Sequence, residues 1–249
     1  MSSAAAPLWL DHASVQVPDL GAAVEHLGRR LGLRATVSHR APERHSRVYL
    51  DRSYVEVSAR PGGTGWRASM FFLRFEDDVA LRRHLERAGL TYRFGTYEGV
   101  DGTWDDVEVD AGDVRLPILV RRTAPPELAR DWPPALTDPQ PCGARTLAEV
   151  HVGVPSLDDA LDPHARLLAL REVPAPTPDP MSGRPSARLP TRSGHIVLLD
   201  RGTGGIERIV LGVASDATVR GQLIRHQGDP VAWLDPVETF GLQLGFVQA

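Results

Sequence analysis

The chain contains no lysine and no asparagine, and its 28 lysine-or-arginine positions are all arginine. Without lysine, Schiff-base chemistry, a pyridoxal-phosphate lysine and a P-loop lysine are excluded. A GC-rich coding sequence avoids both codon sets and accounts for the two absences together. A single cysteine, Cys142, excludes an internal disulfide and a cysteine metal cluster. No apolar run reaches the length of a membrane span. The opening MSSAAAP has neither the basic nor the apolar segment of a secretion signal. The net charge of −4 gives no global pull toward nucleic acid or anionic membrane. Arg29-Arg30, Arg82-Arg83 and Arg121-Arg122 are scattered among acids and read as solvated faces. These features lead us to expect a cytoplasmic protein with no nucleic-acid partner and no membrane contact.

What is present is a repeated pattern. Leu8 to Gly32 starts as a strand in which Ala13, Val15 and Val17 alternate with His12, Ser14 and Gln16. Pro18 ends the strand and Asp19 caps a helix, Leu20 to Leu31. The pattern returns at Leu147 to Leu161, with Val154-Pro155 on Val17-Pro18. A second match sets Leu73, Arg82 and Leu85 on Leu211, Arg220 and Leu223. The nearly equal offsets indicate a tandem duplication.

Each half reads as two strand–helix–three-strand units, so the expected class is α+β with tandem βαβββ units. The first half spans 8–122. Its first unit has a strand at Leu33–His39, a polar turn at Arg40–His45, and a hairpin of Ser46–Leu50 and Tyr54–Ser58. Its second has a strand at Ser69–Phe75, a helix at Asp77–Ala88 and three further strands. A proline-rich linker covers 123–145. The second half spans 146–248, with helices at Leu157–Leu168 and Asp216–His226. Pro163 is expected to shorten or kink the former.

This order resembles the vicinal oxygen chelate superfamily, which includes glyoxalase I, extradiol dioxygenases and fosfomycin-resistance proteins. Leu10-Asp11-His12 followed by Val17-Pro18-Asp19-Leu20 is similar to the superfamily's first strand, and Tyr54-Val55-Glu56-Val57 to its fourth. The layout resembles the glyoxalase-like branch with two tandem domains. The resemblance implies sheets curved around clefts and a divalent metal (Zn, Ni, Mn or Fe) with ligands from first and last strands. By position, His12 and Glu56 carry over as ligands. Met70 and Pro117 stand near the other two ligand positions, and neither is a ligand type. In the second half Glu149 aligns with His12, His151 lies two residues on, and Leu198 stands near the position of Glu56. Gln243 is the polar candidate in the last strand.

The residues themselves point the same way. A carboxylate between Val55 and Val57 on a cleft strand is costly unless ligated or paired, and Arg47 offers an ion pair instead. Without a full metal set, Glu56 would serve as general base with His12 orienting it or carrying the proton. Arg47, Tyr54 and His45 share its sheet and are candidate substrate contacts. Trp66 and Trp104 are cleft walls or residues packed against the other half, and His151 is a candidate in the second half. The expected function is a glyoxalase-like enzyme acting on a small oxygenated metabolite by lyase, isomerase or dioxygenase chemistry. The alternative is a non-catalytic binding or sequestering protein with an incomplete metal site. A homodimer is the expected assembly beyond the single chain. Whether units one and two, or one and three, share a cleft is open at this level.

Overall fold

A computed structural model describes residues 8–37, 45–60, 62–99, 102–112, 114–123, 140–202, 204–214, 219 and 221–248. Most of the expected linker (124–139) and residues 40–44 of the polar turn lie outside them.

The first sheet comprises β1 (Trp9–Val17), β2 (Thr36–Val37), β3 (His45–Tyr49), β4 (Tyr54–Ala59), β5 (Arg67–Arg74), β6 (Thr91–Gly99), β7 (Gly102–Asp110) and β8 (Ile118–Thr123). Its order is β2-β3-β4-β1-β5-β8-β7-β6. The second comprises β9 (Ala144–Val154), β10 (Thr177–Pro178), β11 (Pro185–Pro190), β12 (His195–Asp200), β13 (Gly205–Val213), β14 (Leu223–Arg225), β15 (Ala232–Leu234) and β16 (Gln243–Gln248). Its order, β10-β11-β12-β9-β13-β16-β15-β14, repeats the first strand for strand. Units one and two therefore share one sheet, and units three and four the other.

Among the described residues three α-helices pack on the sheets. α1 (Leu20–His26) runs on as a π turn at Leu27–Leu31; α2 is Asp78–Arg87 and α3 is Leu157–Leu167. Each begins at a side-chain cap: Asp19 accepts from the Ala22 amide, Asp77 from Ala80 and Ser156 from Asp159. α3 runs its full length through Pro163.

The helix expected at Asp216–His226 is not what the described residues form. Leu223–Arg225 is strand β14, paired to β15, and residues 215–218 and 220 lie outside the description. Gly221 has φ of +104°, outside the helical region, and the chain from there enters β14.

The alternation in β1 sends Ala13, Val15 and Val17 into the core. That core is common to both halves: Leu10, Val15 and Leu73 belong to one apolar cluster with Leu147, Ile209 and Leu211. The polar residues of β1 are left on the other face of the sheet.

Candidate functional site

The register of three strands assembles the polar face. Parallel pairing of β1 with β4 sets Tyr54 beside His12 and Glu56 beside Ser14. Antiparallel pairing with β5 sets Phe72 on the other side of His12 and Met70 beside Ser14. The His12 ring is held between two aromatic rings. It stacks on Tyr54 at 4.3 Å and 11°, and on Phe72 at 3.9 Å and 14°.

The β1/β5 register shifts between Leu10 and His12. A bulge there breaks the strict alternation, so the neighbouring Asp11 turns its carboxylate back to His12. Nδ1 lies 2.8 Å from Asp11 Oδ2. A carboxylate oxygen accepts, so Nδ1–H is the donor in this contact.

Tyr54 is buried, and burial pushes its phenol well above its ordinary pKa of 10.0. The charge of Asp11 adds to this, Arg47 opposes it, and Glu56 and Tyr49 also raise it. The phenol therefore stays protonated and is a hydrogen-bond donor at physiological pH. The Arg47 guanidinium lies 5.3 Å from the ring centre of Tyr54. Arg47 Nε also lies 3.7 Å from Glu56 Oε2. Ser14 Oγ donates to Glu56 Oε1 at 3.3 Å.

Beside this group is a cavity of about 760 Å³, lined by Asp11, Tyr54, Arg74, Trp104 and Arg122, the Asp51-Arg52-Ser53 turn, and residues of the adjoining strands. Its lining holds four arginines (Arg52, Arg74, Arg121, Arg122) against three acids (Asp11, Asp51, Glu76). Arg121 is committed to Asp105 at 2.6 Å and Asp78 at 3.1 Å. Arg74 approaches Asp11 at 3.9 Å.

Of the residues singled out from the sequence, Tyr54 and Trp104 line the cavity, and His12 stacks directly behind Tyr54. Glu56 and Arg47 lie on the same sheet face, paired with each other. His45 lies further along β3, opposite Ser58. Trp66 is elsewhere. It packs on His26 and Phe240, and its amide donates to the Phe240 carbonyl at 3.1 Å, at the junction of the halves. His151 belongs to the second sheet.

Sequence reasoning missed Asp11, Arg52, Arg74 and Arg122. Strict alternation puts Asp11 on the face opposite His12, and only the bulge reverses that. The other three sit at strand ends or in a turn, where periodicity says little about direction.

In the second half, Glu149 takes the place of His12, between His195 and Val210 as His12 lies between Tyr54 and Phe72. Its carboxylate is committed at both oxygens, to His151 Nε2 at 2.8 Å and to Arg188 at 2.6 Å. Burial pushes the Glu149 carboxyl up, but His151 and Arg188 outweigh it and hold the pKa below its ordinary value. The counterpart of Glu56 is Val197, which faces His151 as Glu56 faces Ser14. Leu198 points into the core instead. The correction is one residue, and the position remains apolar.

A resident metal needs at least three protein donors in a site of the expected kind. His12 and Glu56 supply two, and Glu56 is paired with Arg47. Ser14 and Phe72 face Met70 and Ile118, neither a donor for a hard or borderline cation. Among the described residues no group of three or more His, Cys, Asp or Glu side chains is placed to hold a metal. The described residues thus do not fit a metal centre.

A family model described as "Glyoxalase-like domain" matches residues 10–168. Among curated proteins none matches the sequence. Several solved structures share the fold. The 2,3-dioxygenase LapB from Pseudomonas sp. KL28 superposes with a TM-score of 0.65 at 14% identity, over 99% of this chain and 94% of that one. A Mn(II)-bound glyoxalase from Novosphingobium aromaticivorans gives 0.62 at 13% identity, over 96% and 83%. A hypothetical protein from Staphylococcus aureus gives 0.64 at 9% identity, over 97% and 99%. With the family match over more than half its length and this twice-repeated sheet, the chain belongs to the glyoxalase-like domain family of the vicinal oxygen chelate superfamily.

Proposed function

We propose that the first half takes a small oxygenated anion into the cavity beside His12 and moves a proton on it, as a lyase or isomerase does. The observation that supports this reading is the convergence of Asp11, Tyr54 and Arg74 on one cavity of about 760 Å³. Arg74 and Arg52 supply charge for a carboxylate. Of the three acids that line the cavity, Asp11 is the one held by His12, whereas Glu56 is engaged by Ser14 and Arg47. Asp11 therefore takes the base role, and Glu56 positions Arg47 under Tyr54.

In the step we propose, Asp11 accepts a proton from the carbon next to a substrate carbonyl. The C–H electron pair becomes the enolate, whose oxygen receives the Tyr54 O–H bond and the Arg74 charge. His12 keeps Asp11 oriented through Nδ1–H. Return of the proton to the neighbouring carbon or oxygen completes an isomerisation. A divalent ion (Zn, Ni, Mn or Fe) is not used in this step, so treatment with a chelator is expected to leave it unchanged.

The test is deuterium incorporation from D₂O into 2-oxo acids and hydroxyketones, followed by proton NMR, beside thermal-shift titration with the same compounds. Exchange that falls about 10²-fold or more in Asp11→Asn supports the reading. Binding without exchange favours the second reading, a sequestering protein, for which the incomplete donor set speaks. Neither binding nor exchange overturns both.

A further inference from the structure

The polar face of the second sheet carries a buried charge pair whose arginine stands where the first sheet has a methionine. Arg208 on β13 is 1% exposed. It occupies the register position of Met70, because it faces His151 as Met70 faces Ser14. Met70 is 37% exposed, so this position is open in the first half and closed in the second.

Asp179 closes it. Its two oxygens lie 2.8 Å from Nη1 and 3.0 Å from Nη2 of Arg208. Gln243 Oε1 accepts from Arg208 Nε at 2.8 Å. Met181, from the same turn as Asp179, packs with Val210, Val231 and Trp233. His151 is buried, and its Nδ1 has no hydrogen-bond partner.

A guanidinium presenting a fork, with an amide and an imidazole beside it, recognises carboxylates as a class. Nothing in that chemistry separates Asp179 from the carboxylate of a small molecule. Asp179 also arrives from an edge hairpin rather than from the body of the sheet. β10 has two residues, both exposed, and pairs with β11 only at Thr177–Ser186 and Pro178–Pro185. Neither proline has an amide hydrogen, so the two-residue ladder contributes little, and the turn is closed by Asp179 N on the Arg184 carbonyl at 2.8 Å and by Ser182 N on the Asp179 carboxylate at 2.9 Å. A buried ion pair adds little net stability over an apolar filling, and its retention invites a functional account.

We propose that Arg208, Gln243 and His151 form a second site for small carboxylates, which Asp179 fills from within the chain until a ligand carboxylate displaces it. The proposal does not depend on the first-half cavity.

Hydrogen–deuterium exchange of the full chain tests it, with sodium acetate and sodium pyruvate compared against sodium chloride at equal ionic strength. The carboxylates are expected to speed exchange in residues 177–186 and to leave α3 unchanged. Asp179→Ala is expected to bind acetate about tenfold or more tightly than the parent by calorimetry. Arg208→Met should remove both effects. Equal exchange of 177–186 in all three salts, measured on the unmodified chain, would mean a fixed clasp and overturn the proposal. An acetate effect that survives Arg208→Met would overturn it too.

Discussion

His164 in α3 shows how one residue sets the acid limit of the fold. Its Nδ1 donates to the Ala160 carbonyl at 2.8 Å, while Nε2 is buried with no partner. Burial pushes the imidazole down to about 4, against a smaller upward pull from Ala160. The folded chain therefore keeps His164 neutral where the unfolded chain protonates it. This contribution is complete above the unfolded pKa near 6.5 and is lost as pH falls toward about 4. Its size is roughly 3 kcal/mol by linkage. Asp179 acts lower on the scale. Burial pushes it up, but Arg208 and Ser182 overcome this and hold it at about 2, below its ordinary 3.8. Its share, roughly 2 kcal/mol, is present above the unfolded pKa and disappears as pH falls through the folded one. Urea denaturation across pH should show two acid steps, and His164→Leu should flatten only the upper one. An unchanged upper step would refute the assignment. At the cavity, Tyr54→Phe should leave urea stability within about 1 kcal/mol but weaken the response to 2-oxo acids by about tenfold. An unaltered titration would take the phenol out of the site. Parity along β1 and β4 was enough to put His12 and Glu56 on one face. It was not enough to find Asp11, because a bulge is invisible to a period of two.

The elements were legible where caps and periodicity agreed. Asp19, Asp77 and Ser156 each start a helix, and the apolar residues of β1 and β9 alternate or run together as their burial requires. At β14 the repeat misled because Leu223 aligns with Leu85 of a helix, whereas pairing to β15 makes it a strand. The end of the first helix is a constrained junction between elements. Gly32 has φ of +69°, and a Cβ there would come within 3.1 Å of the Cys142 backbone nitrogen. That nitrogen donates to the Gly32 carbonyl, so the cap also ties the first helix to the start of the second half. Gly32→Ala combines left-handed strain with a contact against backbone that has little room to yield. A loss of about 1–3 kcal/mol is expected in urea denaturation. A loss no greater than that of a Gly28→Ala control, where an added Cβ meets nothing within 4 Å, would show that the cap carries no strain.

At the scale of the molecule, the two sheets do not behave as beads on a linker. Their apolar faces share one core, and backbone bonds cross between them: Asp51 N to Arg145 O at 2.8 Å, and Trp66 N to Phe240 O at 3.1 Å. Separating the halves would bare Leu10, Val15 and Trp66 on one side and Ile209 and Leu211 on the other. This coupling is the part of the architecture the sequence reading could least supply, since a repeat offset says that two halves are alike and not that they are joined. Trp66 makes the coupling testable. It is buried at the junction between His26 and Phe240, so Trp66→Ala removes contacts that belong to both halves. The expected cost is about 3–5 kcal/mol. Because the core is common, the loss should shift one transition rather than split it. Far-UV circular dichroism follows both sheets, and the fluorescence of the remaining tryptophans samples each half. The two curves should stay coincident in urea, at a lower midpoint than in the parent. If the variant instead unfolds in two separate steps, or one half keeps its original midpoint, the halves are energetically independent despite their contact.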